Sequence, residues 1–367
     1  MQYVSEYRDQ EKTQKICEAI RNETNPDRQY RFMEFCGGHT HVLSRWGLSQ
    51  LLPIHGPGCP VCVLPIGRIE MAVELALKHH VILCTYADTL RIPAAKGQSL
   101  FNCRANGGDV RMVYSPMDAV TIAKDNPAKE VVFFAIGFET TTPPTAVAIK
   151  TAQKLGLKNF TALVSHVLTP AAMEHILKTA PVREAAPKLH GLVGPAHVST
   201  VIGSKPYETF ATDWAMPVVI AGFEPLDMLM AILMLIRQNN EGRHEVENEF
   251  IRAVTPDGNQ VAIRLIDEVF ERRESFEWRG LGAVPYSALK LKDDFAEFDA
   301  EKRFNLIEPH IEDNRACACG EILRGEKEPK DCKLFGKVCT PARPMGACMV
   351  SSEGACAAYW RYAPKNQ

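Results

Sequence analysis

The chain has 367 residues and a formal charge of −2, and 23% of its residues are charged. This length predicts two or three domains, each able to bury its own core. Neither sign of charge forms a long block, so the composition predicts no binding to nucleic acid or to a membrane surface. The polar first residues lack the apolar region of a secretory signal, and the longest apolar run, 228–236, is too short to span a bilayer. We therefore expect a cytoplasmic protein without a transmembrane helix.

From about residue 80, short apolar runs alternate with amphipathic stretches. The runs are nearly continuous, which is typical of buried strands in a parallel sheet. They lie at residues 79–88, 109–115, 130–139, 159–167, 188–194 and 216–224. Pro170 and Pro225 each stand at a predicted first helical position, and Gly156 is a predicted helix C-cap. Strand, loop and helix in repetition predict an α/β fold with parallel sheets.

We expect two Rossmann-like α/β domains, followed by a mainly helical and loop-rich part of the chain. The first domain would cover residues 33–125 and the second 126–232. The third would combine residues 1–32 with 233–367. A helix predicted at about residues 6–21 has no adjacent strand, and we expect it to pack against the C-terminal portion.

A weak internal repeat places a glutamate after two of the predicted strands. Gly137-Phe138-Glu139 and Gly222-Phe223-Glu224 both precede a helix that begins near a proline. Glu139 and Glu224 could line the crevice at the strand ends, where open α/β sheets bind ligands. They could equally be carboxylates that favour a helix N-terminus, or the repeat could be coincidence.

The cysteines divide into two groups of six, one before Asn106 and one after Asn314. Reduced cytosolic thiols do not suggest a disulfide scaffold, so metal binding or redox chemistry has to be considered. The second group comprises Cys317, Cys319, Cys332, Cys339, Cys348 and Cys356. Structural zinc sites usually contain paired CxxC knuckles, which this group lacks, whereas a [4Fe–4S] cluster accepts wider spacings. Spacing alone does not choose four ligands from six.

A CPVC motif contains Cys59 and Cys62 ahead of a helix predicted to start near Pro65. A dithiol of this form near a helix N-terminus favours redox activity, because backbone N–H groups lower one thiol pKa. Half of a zinc knuckle is the alternative.

The stretch MEFCGGHTH contains Cys36, two glycines, His39 and His41. The glycines predict close approach of a ligand or partner to the backbone. In an extended segment the two histidines would point to opposite faces, so only one would share a site with Cys36. The pair could be catalytic or could hold a transition metal, and a buried thiol with surface histidines is the third interpretation.

These stretches, together with GFETTTPPTA and the terminal GACMVSSEGACAAYW, resemble the HypD family of [NiFe]-hydrogenase maturation proteins along nearly the whole chain. The resemblance implies a scaffold on which iron acquires its cyanide and carbon monoxide ligands as an Fe(CN)2CO unit. It also implies a HypC-type small chaperone and a HypE-type cyanide donor as partners, with the hydrogenase large subunit as the later recipient.

The resemblance further implies roles for individual residues. Cys36 corresponds to the iron-binding cysteine with His39 as its neighbour, and Cys59 and Cys62 correspond to the redox dithiol. The implied [4Fe–4S] ligands are Cys317, Cys332, Cys339 and Cys356. Cys319 and Cys348 correspond to a second thiol pair beside the cluster, similar to ferredoxin:thioredoxin reductase. The third domain would then be an iron–sulfur domain.

Two other functions stay open from the sequence. One is an iron–sulfur thiol–disulfide oxidoreductase, for which the terminal cysteines and the CPVC motif would suffice. The other is a zinc-stabilised binding module. Whether the scaffold also counts as an enzyme is left open.

Overall fold

The computed structural model describes residues 8–48 and 53–363. Parallel strands alternate with helices, which confirms the predicted α/β class. The strands are β1 Phe32–Glu34, β2 Pro53–His55, β3 Ile82–Thr85, β4 Val110–Met112, β5 Val131–Gly137, β6 Phe160–His166, β7 Gly191–Pro195, β8 Val218–Ala221, β9 Val246–Asn248, β10 Phe270–Arg272, β11 Ser275–Trp278, β12 Gly282–Pro285 and β13 Leu289–Leu291. The helices are α1 Gln10–Glu23, α2 Gly37–Arg45, α3 Pro60–Val63, α4 Ile66–Leu77, α5 Leu100–Ala105, α6 Pro116–Asp125, α7 Thr142–Lys154, α8 Thr169–Thr179, α9 Ala196–Ile202, α10 Glu208–Trp214, α11 Pro225–Glu241, α12 Gln260–Val269, α13 Ala300–Arg303, α14 Cys319–Leu323 and α15 Ala355–Tyr362.

Two parallel sheets form the centre of the fold. One has the strand order β2-β1-β7-β8-β9 and the other β4-β3-β5-β6. Each of the six predicted runs contributes a strand, β3 to β8. The three-residue strands β1, β2 and β9 were not predicted, because none of them lies in a longer apolar run, whereas the equally short β4 lies in the run 109–115.

Helices cover both faces of these sheets, which explains why the strands read as continuous apolar runs. In β5, Phe134 packs with residues of α4 and α5, whereas its neighbour Phe133 packs with α6 and α7. In β8, Ile220 and Val219 likewise belong to opposite cores. Successive side chains of a strand point to opposite faces, so both must be apolar here.

Sheet membership does not follow the boundary expected at residue 125. The chain forms β1 and β2, completes the second sheet with β3 to β6, and then returns to the first sheet with β7. Position 125 therefore falls between β4 and β5, inside the second sheet. The pattern of a single strand does not reveal which sheet it joins.

Helix α1 packs differently from our expectation. It begins at Gln10, where Asp9 caps the backbone N–H of Lys12, and the expected start at residue 6 lies outside the described residues. The helix packs on α11 rather than on the C-terminal portion, with Ile20 in the core that α11 shares with β8. Arg237 of α11 binds Glu23 at 2.8 Å. Ile20, with the partly buried Ile16 and Cys17, adds apolar surface to this core, so burial of apolar side chains stabilises the contact between α1 and α11.

After β9 the chain forms α12, two small antiparallel ribbons and then a loop-rich segment. The last part of that segment, residues 347–362, packs against α2 and α3. It thereby brings the C-terminal cysteines towards the N-terminal ones. Within the described residues, no helix is both long and apolar enough to cross a membrane.

Candidate functional site: converging cysteines

Cys36 lies at the junction of β1 and α2, as the N-cap residue of the helix. Its own backbone N–H donates to Glu34 Oε2 at 2.8 Å, and the N–H groups of Gly38 and His39 point towards its sulfur. The next N–H, that of Gly37, donates to the carbonyl of Gly58 at 2.8 Å. The thiol is therefore held by the first turn of a helix, where hydrogen-bond donors are free to face an anion.

Two carboxylates surround this thiol. Glu34 is fully buried and accepts hydrogen bonds from the Cys36 N–H and the Thr40 hydroxyl, with His55 Nδ1 at 3.3 Å. Burial, together with the negative charges of Glu353 and Glu34, raises the pKa of Cys36 to about 12. The free thiol is therefore neutral at pH 7, in a setting whose negative charge favours a cation.

His39 is completely buried and its ring does not bond the thiol. Its Nε2 lies 2.8 Å from the carbonyl oxygen of Ala221, so the neutral ring donates there, and its Nδ1 has no partner in the described part of the chain. Burial lowers the pKa of His39. His41 points elsewhere, to the hydroxyl of Tyr362 at 3.3 Å. The segment is helical and not extended, but residues two positions apart on a helix do not face each other either, so the two rings separate as expected. Of the two residues, His39 is the one whose backbone N–H points towards the Cys36 sulfur.

The two glycines serve packing within the chain rather than access for a partner. A Cβ added at Gly37 would come within 2.4 Å of Glu353 Cβ, and one at Gly38 within 2.6 Å of the Phe223 ring. The expectation that they open the backbone to a ligand is therefore wrong: side chains of the same protein occupy the space. Gly58 has the same role, since a Cβ there would lie 2.2 Å from the Cys36 backbone nitrogen.

The CPVC motif forms a tight turn directly after Gly58. Cys59 is the N-cap of α3, its sulfur accepts a hydrogen bond from the N–H of Cys62 at 3.2 Å, and the two residues are joined by a disulfide. Both are almost completely buried. Helix α4 starts at Ile66 after Pro65, as predicted. The Cys36 loop and the disulfide turn thus touch each other through Gly58.

All six C-terminal cysteines line one small cavity, together with Phe335, Gly346 and Met349. Hydrogen bonds link the side chains of Cys319 and Cys348 to each other, Cys319 to Cys317, and Cys348 to Cys356. The N–H groups of Met345 and Gly346 donate to Cys339. A Cβ at Gly346 would lie 2.5 Å from Cys317 Sγ, so glycine is needed for the backbone to pass this close.

The donor set of this cavity suits an iron–sulfur cluster. In residues 8–48 and 53–363, no three His, Cys, Asp or Glu side chains are arranged to hold a single metal ion. A [4Fe–4S] cluster has a different geometric requirement, because each of its four cysteine thiolates binds a different iron atom at the edge of the cluster. Six free thiols surround the apolar cavity, and backbone N–H groups point at sulfur atoms among them. This arrangement satisfies the requirement of a [4Fe–4S] cluster.

The turn before α15 connects the cysteine cavity with Cys36. Glu353 packs on Gly37, and the next residue, Gly354, lies so close to the Cys348 carbonyl that a Cβ would approach it to 2.3 Å. Helix α15, which carries Cys356, packs along α2. The three cysteine-containing segments therefore form one connected site.

Comparison with known proteins identifies the family to which this arrangement belongs. A family model described as "HypD: Hydrogenase formation hypA family" matches residues 11–363. The chain is 60% identical over 368 residues to "Hydrogenase maturation factor HypD2" of Bradyrhizobium diazoefficiens and equally to "Hydrogenase maturation factor HypD" of Cupriavidus necator, covering 99% of this chain and 97% of each relative. The factor HypD of Escherichia coli is 42% identical over 372 residues, covering 99% of this chain and 98% of its own.

The chain belongs to the HypD family.

The HypD-type motifs named from the sequence meet in the fold: strand β5, which ends in the first residue of GFETTTPPTA, contacts helix α3 of the CPVC motif. GFETTTPPTA lies at the end of β5, in the other sheet from Cys36. Its Glu139 accepts hydrogen bonds from the N–H and hydroxyl of Thr169, at 2.8 and 3.0 Å. Glu224 is the N-cap of α11, where it shares a capping box with Asp227 and binds Arg8. Both glutamates thus stabilise helix N-termini, and neither orients His39.

Three charged residues of this HypD-family site were not singled out from the sequence. Glu34 and Glu353 flank Cys36, and Arg279, 4% exposed, lies close enough to Cys319 to favour its thiolate. Glu34 stands inside the quoted MEFCGGHTH stretch and could have been found there. Nothing in the local sequence distinguishes Arg279 from a surface arginine.

Proposed function

We propose that this protein acts in hydrogenase maturation as a cytoplasmic scaffold on which iron acquires cyanide and carbon monoxide, with Cys36 as the ligand that holds the iron. The observation that carries the proposal is the convergence of the Cys36 loop, the Cys59–Cys62 turn and the six-cysteine cavity. Membership of the HypD family supports the same role.

The surroundings of Cys36 suit an iron ion as cargo. The carboxylates of Glu34 and Glu353 that disfavour a bare thiolate favour a nearby dication, which would displace the thiol proton. The N–H groups of Gly38 and His39 would then stabilise the thiolate. A thiolate is a soft and strongly donating ligand, which suits iron bearing cyanide and carbon monoxide.

The proposal includes partners that complete the chemistry. A HypC-type chaperone would share the iron with Cys36, a HypE-type partner would deliver cyanide as a thiocyanate on its cysteine, and the hydrogenase large subunit would receive the finished unit. No distance to a partner enters this proposal.

Cys59 and Cys62 would supply the electrons for cyanide release. Cleavage of the partner's S–C bond yields its free thiol and cyanide, and requires two electrons. The dithiol form of Cys59 and Cys62 provides two electrons and two protons as it becomes the disulfide. Their position beside Gly58, which contacts the Cys36 backbone, supports this role.

Cys317, Cys332, Cys339 and Cys356 would hold a [4Fe–4S] cluster, with Cys319 and Cys348 as a thiol pair beside it. When bound, such a cluster supplies one-electron chemistry. The disulfide turn and the segment carrying Cys348 are in contact, which supports a common redox role.

A maturation assay tests the proposal. In a host lacking its own HypD-type gene, the wild-type chain and a Cys17→Ala control, altered in α1 and outside the site, should both restore hydrogenase activity. Cys36→Ala should abolish it. Normal maturation by Cys36→Ala would contradict the scaffold role.

That same outcome would favour the second candidate, an iron–sulfur thiol–disulfide oxidoreductase. The buried disulfide beside a six-thiol cavity favours this alternative. It has no use for Cys36 among two carboxylates, so the two functions differ in their response to this one substitution.

A further inference from the structure

A second cavity, of about 830 Å³, opens beside the six-cysteine cavity. Its walls come from residues 91–102 on one side and from 311–314 and 342–345 on the other. Met345 connects this cavity with the six-cysteine cavity, since it lines this cavity while its N–H donates to Cys339 in the other. Pockets of about 300 to 1,000 Å³ are the usual size for small ligands. None of the roles assigned above uses this space.

Three arginines line the cavity and are incompletely paired. Arg343 makes no ion pair among the described residues, and Arg91 bonds only the carbonyl oxygen of Pro341 there. Arg279 is 96% buried; its Nε binds Asp313 at 2.6 Å, but its Nη1 has no hydrogen-bond partner in the described part of the chain. Because its Nη1 is inaccessible to water, Arg279 contributes positive charge to the wall of the cavity rather than a hydrogen-bond donor to a ligand.

The acidic groups of the cavity are already engaged. Asp313 is bound to Arg279, and Glu312 binds Arg315 at 3.0 Å. Arg91 and Arg343 therefore remain available to an anion from outside. Guanidinium groups bind carboxylates and phosphates through paired hydrogen bonds.

Apolar side chains form another part of the wall, next to the polar Gln98, Ser99, Asn102 and Asn314. Phe101 is 61% exposed, and Ile66, Pro344 and Met345 add aliphatic surface. An exposed aromatic ring next to arginines suits a ligand that has an apolar or aromatic body as well as a charged group. A small inorganic anion would leave most of this volume unfilled.

We propose that this cavity binds a small organic anion, in which a carboxylate or phosphate pairs with Arg91 and Arg343 and an apolar body lies against Phe101. Because Arg279 contacts both the cavity and the surroundings of Cys319, the bound anion would lie next to the cysteine cavity. The proposal concerns binding alone, so it does not depend on the scaffold function.

Calorimetric titration of the full-length protein at low salt tests it, with phenyl phosphate, benzoate and inorganic phosphate as probes. At least one of the two aromatic anions should bind with one-to-one stoichiometry and more tightly than inorganic phosphate. The stronger of the two identifies whether phosphate or carboxylate is preferred.

Variants locate the site. The double variant Arg91→Gln/Arg343→Gln should weaken binding about tenfold or more. Phe101→Ala should weaken the aromatic probes and leave inorganic phosphate unchanged. Arg264→Gln, an exposed arginine on α12, is the matched control and should bind normally. Absence of saturable binding by both aromatic anions, or equal binding by the double variant and the wild type, would overturn the proposal.

Discussion

Glu139 shows how a single buried carboxyl can set a pH dependence. It is 3% exposed and accepts two hydrogen bonds from Thr169, at the start of α8. Burial raises its pKa to about 7 despite those bonds. The folded protein therefore holds the proton more tightly than the unfolded chain does.

The sign of the effect follows from this raised pKa. The stability that the protonated Glu139 contributes is fully present below its unfolded pKa of about 4.5 and is lost as the pH rises through about 7. The glutamine of Glu139→Gln cannot ionise. Over this pH window, the free energy of unfolding of the variant should therefore fall by about 2–3 kcal/mol less than that of the wild type. Denaturant unfolding at pH 4.5, 6 and 7.5 measures the difference. Glu174→Gln, a change at a partly exposed residue of α8, should follow the wild-type curve. Parallel curves for Glu139→Gln and the wild type would contradict the account.

At the residue scale, the cysteines and the adjacent Glu34 could be identified from sequence, whereas Glu353 and Arg279 could not. Reduced thiols in unusual motifs are chemically distinctive, and the six C-terminal cysteines do meet. Glu34, Glu353 and Arg279 belong to residue types that normally face solvent. Glu353 and Arg279 are positioned through contacts with segments hundreds of residues away, at Gly37 and Val63, which no local pattern records.

At the scale of elements, the start of α2 depends on tertiary packing. A helix that begins with two glycines has poor intrinsic stability. Here the contacts of Gly37 with Glu353 and of Gly38 with Phe223 fix the turn. The sequence alone therefore could not predict that this stretch is helical, whereas the longer runs β3 to β8 were predictable from their apolar character.

Gly38→Ala tests this packing. The added methyl group would meet the Phe223 ring, which is stacked on His197 at 3.9 Å between ring centroids. We expect a loss of about 1–3 kcal/mol in the free energy of unfolding. The double variant Gly38→Ala/Phe223→Leu should recover part of it, because the smaller side chain leaves room.

Thermal or denaturant unfolding of the single and double variants provides the measurement. Full stability of Gly38→Ala would show that the turn has free space. If the stability losses of the two single variants simply add in the double variant, the added methyl group does not contact Phe223.

At the scale of the whole molecule, Arg68 connects parts of the chain that the sequence pattern treats separately. This arginine of α4 is 1% exposed, bonds Ser165 and the Val164 carbonyl of β6, and pairs with Glu301 at 2.7 Å. Burial alone would oppose ionisation of Glu301, but Arg68 and Arg273 outweigh it and lower the pKa of Glu301 to about 2. The C-terminal portion is thereby anchored to the second sheet.

Removing this charge should loosen that anchor. Arg68→Met leaves Glu301 with Arg273 alone and should lower the free energy of unfolding by about 3–5 kcal/mol. Arg68→Lys keeps the positive charge, so its free energy of unfolding should fall less than that of Arg68→Met. Denaturant midpoints compare the variants, and a midpoint for Arg68→Met equal to that of the wild type would refute the role of Arg68.

The order of the chain through the two sheets could not be read from the sequence. The apolar runs predicted the strands and their parallel arrangement, but β1 pairs with β7 across more than a hundred residues, and β2 joins the sheet through β1. The packing of α1 on α11 was missed for the same reason. This long-range arrangement is what places Cys36, the disulfide and the C-terminal cysteines together.

The central claim is that Cys36 holds the iron while the other converging thiols serve redox chemistry. Infrared spectroscopy of the protein, co-purified without oxygen with the proposed HypC-type chaperone, tests it most directly. Cyanide and carbonyl stretching bands should be present in the wild type and in Cys17→Ala, and absent in Cys36→Ala. Bands of undiminished intensity in Cys36→Ala would contradict the account.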